Sequence, residues 1–231
     1  MTWHAKPSGA YSYTSQEGLD NIYEMNSTMG GATLESRAAV IANSCHEGGL
    51  NPWRWQGDRF GLSRGYGLFQ FTPASGYINS SWPTKAPNMS TTEVTTGADP
   101  SDGEAQCEVM ATDYLGKWVS SCWRSYWDIQ TYNDLYAYRG EVLRLWGSGS
   151  SISMAQFFQC QDLDAATFIF LACFEGPAVP NFSTRKATAA QIYQILGGVV
   201  PPTPPVPPTP PVGSDIPYWL IKKMKDKHKK I

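Results

Sequence analysis

Two short segments carry the residue types from which a bond-breaking site is built. The first, Asn43-Ser44-Cys45-His46-Glu47-Gly48-Gly49-Leu50-Asn51-Pro52, places a glutamate where an apolar periodic stretch stops; the second, Gly65-Tyr66-Gly67-Leu68-Phe69-Gln70-Phe71-Thr72, follows soon after. Leu34, Ala38, Ile41 and Cys45 recur at helical spacing behind a Thr33 cap, so the pattern predicts a helix ending near Glu47. Glu47 then sits at a helix C-terminus, about 140° around the axis from the apolar stripe. The helix dipole and apolar neighbours both disfavour a carboxylate there, which predicts a carboxyl that holds its proton unusually well. Such a group is the general acid that cleavage of a glycosidic bond requires. Gly48 and Gly49 leave the backbone open to close approach by a bulky ligand. Gln70 offers a donor and an acceptor to sugar hydroxyls, N-acetyl groups or a water, while Trp53, Trp55, Tyr66 and Phe71 have faces suited to stacking on pyranose rings.

Glycosidases commonly use two carboxyl groups. Asp58, in the turn sequence Gln56-Gly57-Asp58-Arg59, is the first choice for the second, because a hairpin facing the helix would carry it across the cleft; its competing role is that of a turn aspartate. Glu175, at the end of a strongly apolar stretch, is the alternative, with a structural ion pair to Arg185 as its competing role and the preferred one. Cys45 and His46 also invite a thiolate–imidazole reading. Adjacent helical residues point ~100° apart, so these two cannot serve each other. The other histidines, His4 and His228, lie at the chain ends.

The elements that must position these groups read as mainly helical. Ser101 with Glu104 forms a capping-box pattern, and Cys107, Met110, Ala111, Tyr114, Trp118 and Cys122 keep helical spacing after it. On a continuous helix Cys107 and Cys122 would be ~22 Å apart and could not bridge. Ser153 and Asp164 are expected to cap helices over 154–160 and 165–175, and a last helix is expected from Thr184 to Leu196, stopped by Gly197-Gly198. Between Trp53 and Phe71, Gly and aromatic residues predict a short hairpin or irregular strands. The expected fold is therefore mainly α, helical with a small β hairpin region.

The chain has 231 residues, 42% hydrophobic and 16% charged, enough for a real core. Its uncharged apolar runs, near Ala165–Phe174 and Leu196–Val200, fall short of the ~18 residues a spanning helix needs, which argues against a transmembrane protein. The first residues lack the apolar core of a secretory signal, so no signal peptide is expected. Four glycosylation sequons, at Asn26, Asn79, Asn88 and Asn181, are then ordinary loop chemistry. Five cysteines, Cys45, Cys107, Cys122, Cys160 and Cys173, show no Cys-x-x-Cys spacing, so most are expected to be buried apolar residues; disulfides stay open and no metal site is expected. Residues 201–211 contain eight of the 17 prolines and predict a stiff polyproline II spacer of ~34 Å. Beyond it, residues 213–231 hold six lysines against two aspartates, a local +4 that leaves −6 on the first 212 residues. The expected organisation is a domain over 1–200, a polyproline linker over 201–212 and a basic amphipathic tail over 213–231. An acidic body argues against nucleic-acid binding. The tail, with Trp219, Leu220 and Ile221 beside its lysines, suits docking to an anionic polymer, a lipid surface or an acidic partner.

With these residues in view, the sequence resembles the lysozyme-like superfamily, and within it the tail lysozymes of bacteriophages. The resemblance rests on Glu47 at a helix end, the following Gly48-Gly49-Leu50-Asn51-Pro52, and the Gly65-Tyr66-Gly67-Leu68-Phe69-Gln70 turn. It extends to Phe174-Glu175-Gly176-Pro177 and the Arg185 helix, covering roughly Glu17 to Leu196. The chain departs from the commoner pattern at Cys45-His46 and at Gly48, where a serine is frequent. The resemblance implies an α+β lysozyme-like fold and hydrolysis of the β-1,4 glycosidic bond between N-acetylmuramic acid and N-acetylglucosamine in bacterial peptidoglycan. By that resemblance Glu47 is the general acid and Gln70 a cleft residue; the reading of the residues themselves adds Asp58 as the stabilising or water-activating carboxylate and Tyr66, Phe71 and Trp55 as substrate-binding residues, with no cofactor expected. It further implies a bacteriolytic protein in the phage virion or, after release, at the host envelope, where other tail proteins or anionic envelope polymers would meet the basic tail. The competing expectation is a lysozyme-fold tail protein that binds the wall or plays a structural part without turnover.

Overall fold

The computed structural model describes residues 3–80, 102–127, 133–147 and 150–198. By packing, the chain divides into Met1–Val199 and Val200–Ile231. The expected polyproline linker and basic tail lie outside the described residues.

Among the described residues there are eight α-helices: α1 Gln16–Thr28, α2 Leu34–Glu47, α3 Ala74–Ile78, α4 Asp102–Ala111, α5 Asn133–Leu145, α6 Met154–Phe158, α7 Leu163–Phe170 and α8 Phe182–Ile195. A 3₁₀ turn at Gln56–Asp58 and a π turn at Leu171–Glu175 complete them. None of these helices is long and apolar enough to cross a membrane.

The central helix is α2. Thr33 caps it by accepting from the Ser36 amide, and the same hydroxyl donates to the Cys160 carbonyl, which fixes where the helix enters the body. Every residue from Ala38 to Ser44 is buried, so α2 has no solvent stripe in its middle. Its small side chains (Ala38, Ala39, Ala42, Ser44) let α7 and α8 pack close against it. Phe157, Phe69, Phe170 and Phe174 fill the adjoining core, with Phe170 stacked on Phe174 at 4.9 Å.

Three expected elements are corrected. The region from Trp53 to Phe71 forms no strand among the described residues, only the isolated bridges Trp55–Tyr66 and Tyr66–Phe71. Positive φ at Gly57, Asp58, Gly67 and Gln70 interrupts any extended run there. The helix expected to run on to Cys122 ends at Ala111. Asp113 and Gly116 take left-handed backbone, and the Asp113 carboxylate accepts from the Lys117 and Trp118 amides, a local cap that competes with helix propagation. The helix expected over 165–175 starts earlier, at an Asp162 cap, and its last turn widens into the π turn.

That shortened α4 explains the cysteines. The chain after it doubles back, and Cys122 is joined by a disulfide to Cys173 in the π turn. Cys107 and Cys160 are buried thiols.

Candidate active site

Glu47, Arg54, Gln56, Gly57, Gln70, Thr72, Lys117 and the segment Glu175–Ala178 line one cleft of about 490 Å³. Five separate pieces of chain meet there, held by bonds that can be named.

The end of α2 meets the Gly65–Thr72 turn backbone to backbone. The Gly48 amide donates to the Ser44 and Leu68 carbonyls, and a Cβ at Gly48 would lie 2.3 Å from the Gly67 carbonyl oxygen and 2.6 Å from Leu68 Cα. Glycine is needed there for contact inside the protein, not for approach of a ligand as expected. Gln106 on α4 binds both halves: its Oε1 accepts from the Leu68 amide at 2.7 Å and its Nε2 donates to the Pro52 carbonyl at 2.7 Å. Sequence reading missed Gln106, because a helical glutamine between Ala105 and Cys107 carries no signal of its long-range partners.

At the cleft, Glu47 Oε1 accepts from Arg185 Nη2 at 2.5 Å. Arg185 is 3% exposed, and its remaining donors reach the Asn43 Oδ1 (2.9 Å) and the Pro180 carbonyl (3.0 Å). The expected partner of Arg185 was Glu175; its partner is Glu47. His46 bonds Thr188 Oγ1 at 3.0 Å and is held below the usual histidine range, first by desolvation and then by the Arg185 charge. Burial pushes the Cys45 thiol up to about 12, which removes the thiolate reading.

Gln70 sits in left-handed backbone and donates from Nε2 to the Gly67 and Arg54 carbonyls at 3.0 and 3.2 Å, leaving Oε1 without a hydrogen bond among the described residues. The aromatic candidates are elsewhere. Trp55, Tyr66 and Phe71 are only 3%, 2% and 1% exposed, so none presents a face for a sugar. Tyr66 instead donates to Asp102 at 2.9 Å and lies 4.8 Å from Trp55, and Phe71 stacks on Tyr77 at 4.9 Å. Their apolar area is what packs the turn onto the helices; stacking partners and core aromatics have the same composition, and only packing separates them.

Asp58 does not line the cleft. Its Oδ1 accepts from the Gly9 amide at 2.8 Å and from Arg54 Nε at 3.2 Å, and it is held below the usual carboxylate range, first by the Gly9 hydrogen bond and then by Arg54. It ties the N-terminal segment to the Gln56–Asp58 turn.

The carboxyl that shares the cleft with Glu47 is Glu175. Its Oε1 is out of contact with solvent and accepts no hydrogen bond among the described residues. Burial raises its pKa to about 8, the Glu47 charge adds to the rise, and Lys117, Arg185 and Arg124 oppose it. Lys117, which the sequence analysis does not single out, lies over the rings of Phe174 and Phe71 at 5.2 and 5.4 Å. Desolvation lowers its pKa, against the pull of Glu175 and Glu47.

The described residues form a mainly helical body with a cleft that two glutamates line. Residues 19–196 match the phage tail lysozyme family, and the chain belongs to that family. A comparison with curated proteins finds no match.

Proposed function

We propose that this protein hydrolyses the β-1,4 bond between N-acetylmuramic acid and N-acetylglucosamine in bacterial peptidoglycan, with Glu47 as the general acid, to open the wall locally during infection or lysis. The observation that carries the proposal is the placement of Glu47 in a cleft that Gln70 and Thr72 of the Gly65–Thr72 turn also line. A glycan strand laid in that cleft would meet both the Glu47 carboxyl and the Gln70 side chain. Glu47 gives its proton to the leaving glycosidic oxygen as positive charge develops at the anomeric carbon. Gln70 accepts from a sugar hydroxyl, an N-acetyl N–H or the attacking water. Asp58 takes a tethering role in this scheme, and the buried Trp55, Tyr66 and Phe71 support the turn rather than touch the glycan. The phage particle, or the host envelope after release, is the setting that suits this activity.

Mass spectrometry of fragments released from purified peptidoglycan tests the assignment. Wild type is expected to release disaccharide units, and Glu47→Gln, shown folded by circular dichroism, to be slower by about 10²-fold or more. Release of nothing by either protein would favour a wall-binding role, and release of peptide fragments alone would remove the glycosidase reading.

A further inference from the structure

The turn that carries Glu175 is held far more tightly than a helix end requires. Arg124 reaches across to the carbonyls of Ala172 (2.8 Å), Cys173 (2.9 Å) and Phe174 (3.1 Å). The Val119 amide donates to the Cys173 carbonyl at 2.7 Å, Trp127 Nε1 donates to the Pro177 carbonyl at 2.9 Å, and Tyr126 donates to the Gly176 carbonyl. Cys173 is covalently fixed to Cys122. Gly176 then closes the turn in left-handed backbone, where a Cβ would collide with the Arg124 guanidinium at 2.5 Å. π turns of this kind recur at functional sites. The side chain that all this aims into the cleft is a carboxyl with one oxygen hidden and unbonded.

Glu47 at the end of α2, Arg185 on α8, and Lys117 and Arg124 in the segment after α4 are the charged groups that act on it. Behind them, His46 lies beside Arg185 and Glu47, and Asp113 acts on Lys117. The charge of Glu47 is among the causes that keep the Glu175 carboxyl protonated, and both groups line one cleft. They are unequal: Glu47 has an oxygen held by a guanidinium, and Glu175 has a hidden oxygen with nothing to hold it.

We propose that Glu47 and Glu175 share one proton, and that Glu175 stores in the resting protein the proton that Glu47 delivers to the glycosidic oxygen. The proposal rests on the reading of Glu47 as general acid. The Glu175 O–H passes its proton through a cleft water to the Glu47 oxygen that Arg185 does not hold. Glu47 protonates the leaving oxygen as the C1–O bond breaks and its electron pair goes to that oxygen. The water that adds to C1 releases a proton, which returns to the carboxylate pair, and the site is reset. Lys117, which lines the same cleft and acts on both acids, sets how readily the pair gives the proton up, so Glu175 and Lys117 are positioning residues for the proton.

The pH dependence of kcat and KM on purified peptidoglycan, for wild type, Glu175→Gln and Lys117→Met, decides this. In Glu175→Gln the store is gone and the alkaline limb of kcat is expected to move to lower pH by about one unit or more, with KM little changed. In Lys117→Met the cation that favours ionised Glu175 is gone, and the limb is expected to move to higher pH. A purely structural Glu175 would lower the melting temperature and leave both limbs at the wild-type pH, which would overturn the proposal. Carboxyl ¹³C NMR titration of Glu-labelled protein reads the pair without turnover, so it separates failure here from failure of the glycosidase reading. One glutamate is expected to titrate well above the usual carboxylate range and to fall when Glu47→Gln removes its neighbour's charge. Two glutamates that titrate independently would also sink the shared proton.

Discussion

Arg185 shows how one side chain serves both fold and site. Its guanidinium is almost wholly buried, and it joins the end of α2 (Glu47, Asn43) to the residues that start α8 (Pro180). A planar fork is what makes these three contacts simultaneous, and an ammonium cannot reproduce it. Arg185→Lys is therefore expected to destabilise the protein by about 2–5 kcal/mol, since it leaves buried acceptors and a carboxylate incompletely paired. Urea unfolding measures this, and an unchanged midpoint would show that the fork is dispensable. At the same scale, Tyr66 and Tyr77 spend their hydroxyls on the buried Asp102, at 2.9 and 2.6 Å, which is why aromatic residues near the cleft are structural rather than exposed to ligand.

At the scale of elements, the break after Ala111 is the decisive feature. Had α4 run on to Cys122, Lys117 would sit on a helix face and Cys122 would be far from Cys173. The turn at Asp113–Gly116 instead returns the chain so that residues 117–127 clamp the π turn. The Cys122–Cys173 bridge closes a loop with a sequence separation of 51. In the chain-entropy picture its loss costs about 2–4 kcal/mol. Replacing both cysteines by serine is expected to lower the melting temperature accordingly and to lower kcat as well, because Cys173 lies two residues before Glu175. A variant with reduced stability and full kcat below its melting range would show that Arg124 and the amide bonds hold the turn without help.

For the whole molecule, the charge division is the feature with the clearest consequence. The first 212 residues carry −6 and residues 213–231 carry +4, so the two parts are drawn to different surfaces. We propose that the tail holds the protein on anionic envelope polymers or on acidic partners in the phage particle. Deletion of residues 213–231 is expected to leave turnover of soluble glycan fragments unchanged and to reduce retention on cell walls, more so at low ionic strength, where charge attraction is strongest. Pull-down on purified walls across a salt series measures it, and equal retention of both forms would discard the tail as an anchor.

Taken alone, the sequence determined what is local. Thr33 with the apolar repeat through Cys45 specified α2 and its end at Glu47, Ser153 specified the start of α6, and Gly197 the stop after α8, because caps and periodicity act within a few residues. The Glu47 motif with the Gly-Tyr-Gly-Leu-Phe-Gln turn also identified the family. What the tertiary structure alone decided is pairing at long range. Arg185 is 138 residues from the Glu47 it holds, Gln106 is 38 from the Leu68 amide it binds, and Gly9 is 49 from the Asp58 that it withdraws from the cleft. Helical spacing survives through Trp118 and Cys122 although the helix stops at Ala111, since periodicity reports which residues are apolar and not whether the backbone turns. Burial, likewise, is a property of the packed chain: it makes core residues of Trp55, Tyr66 and Phe71, and the packing sets Glu175 in the same cleft as Glu47.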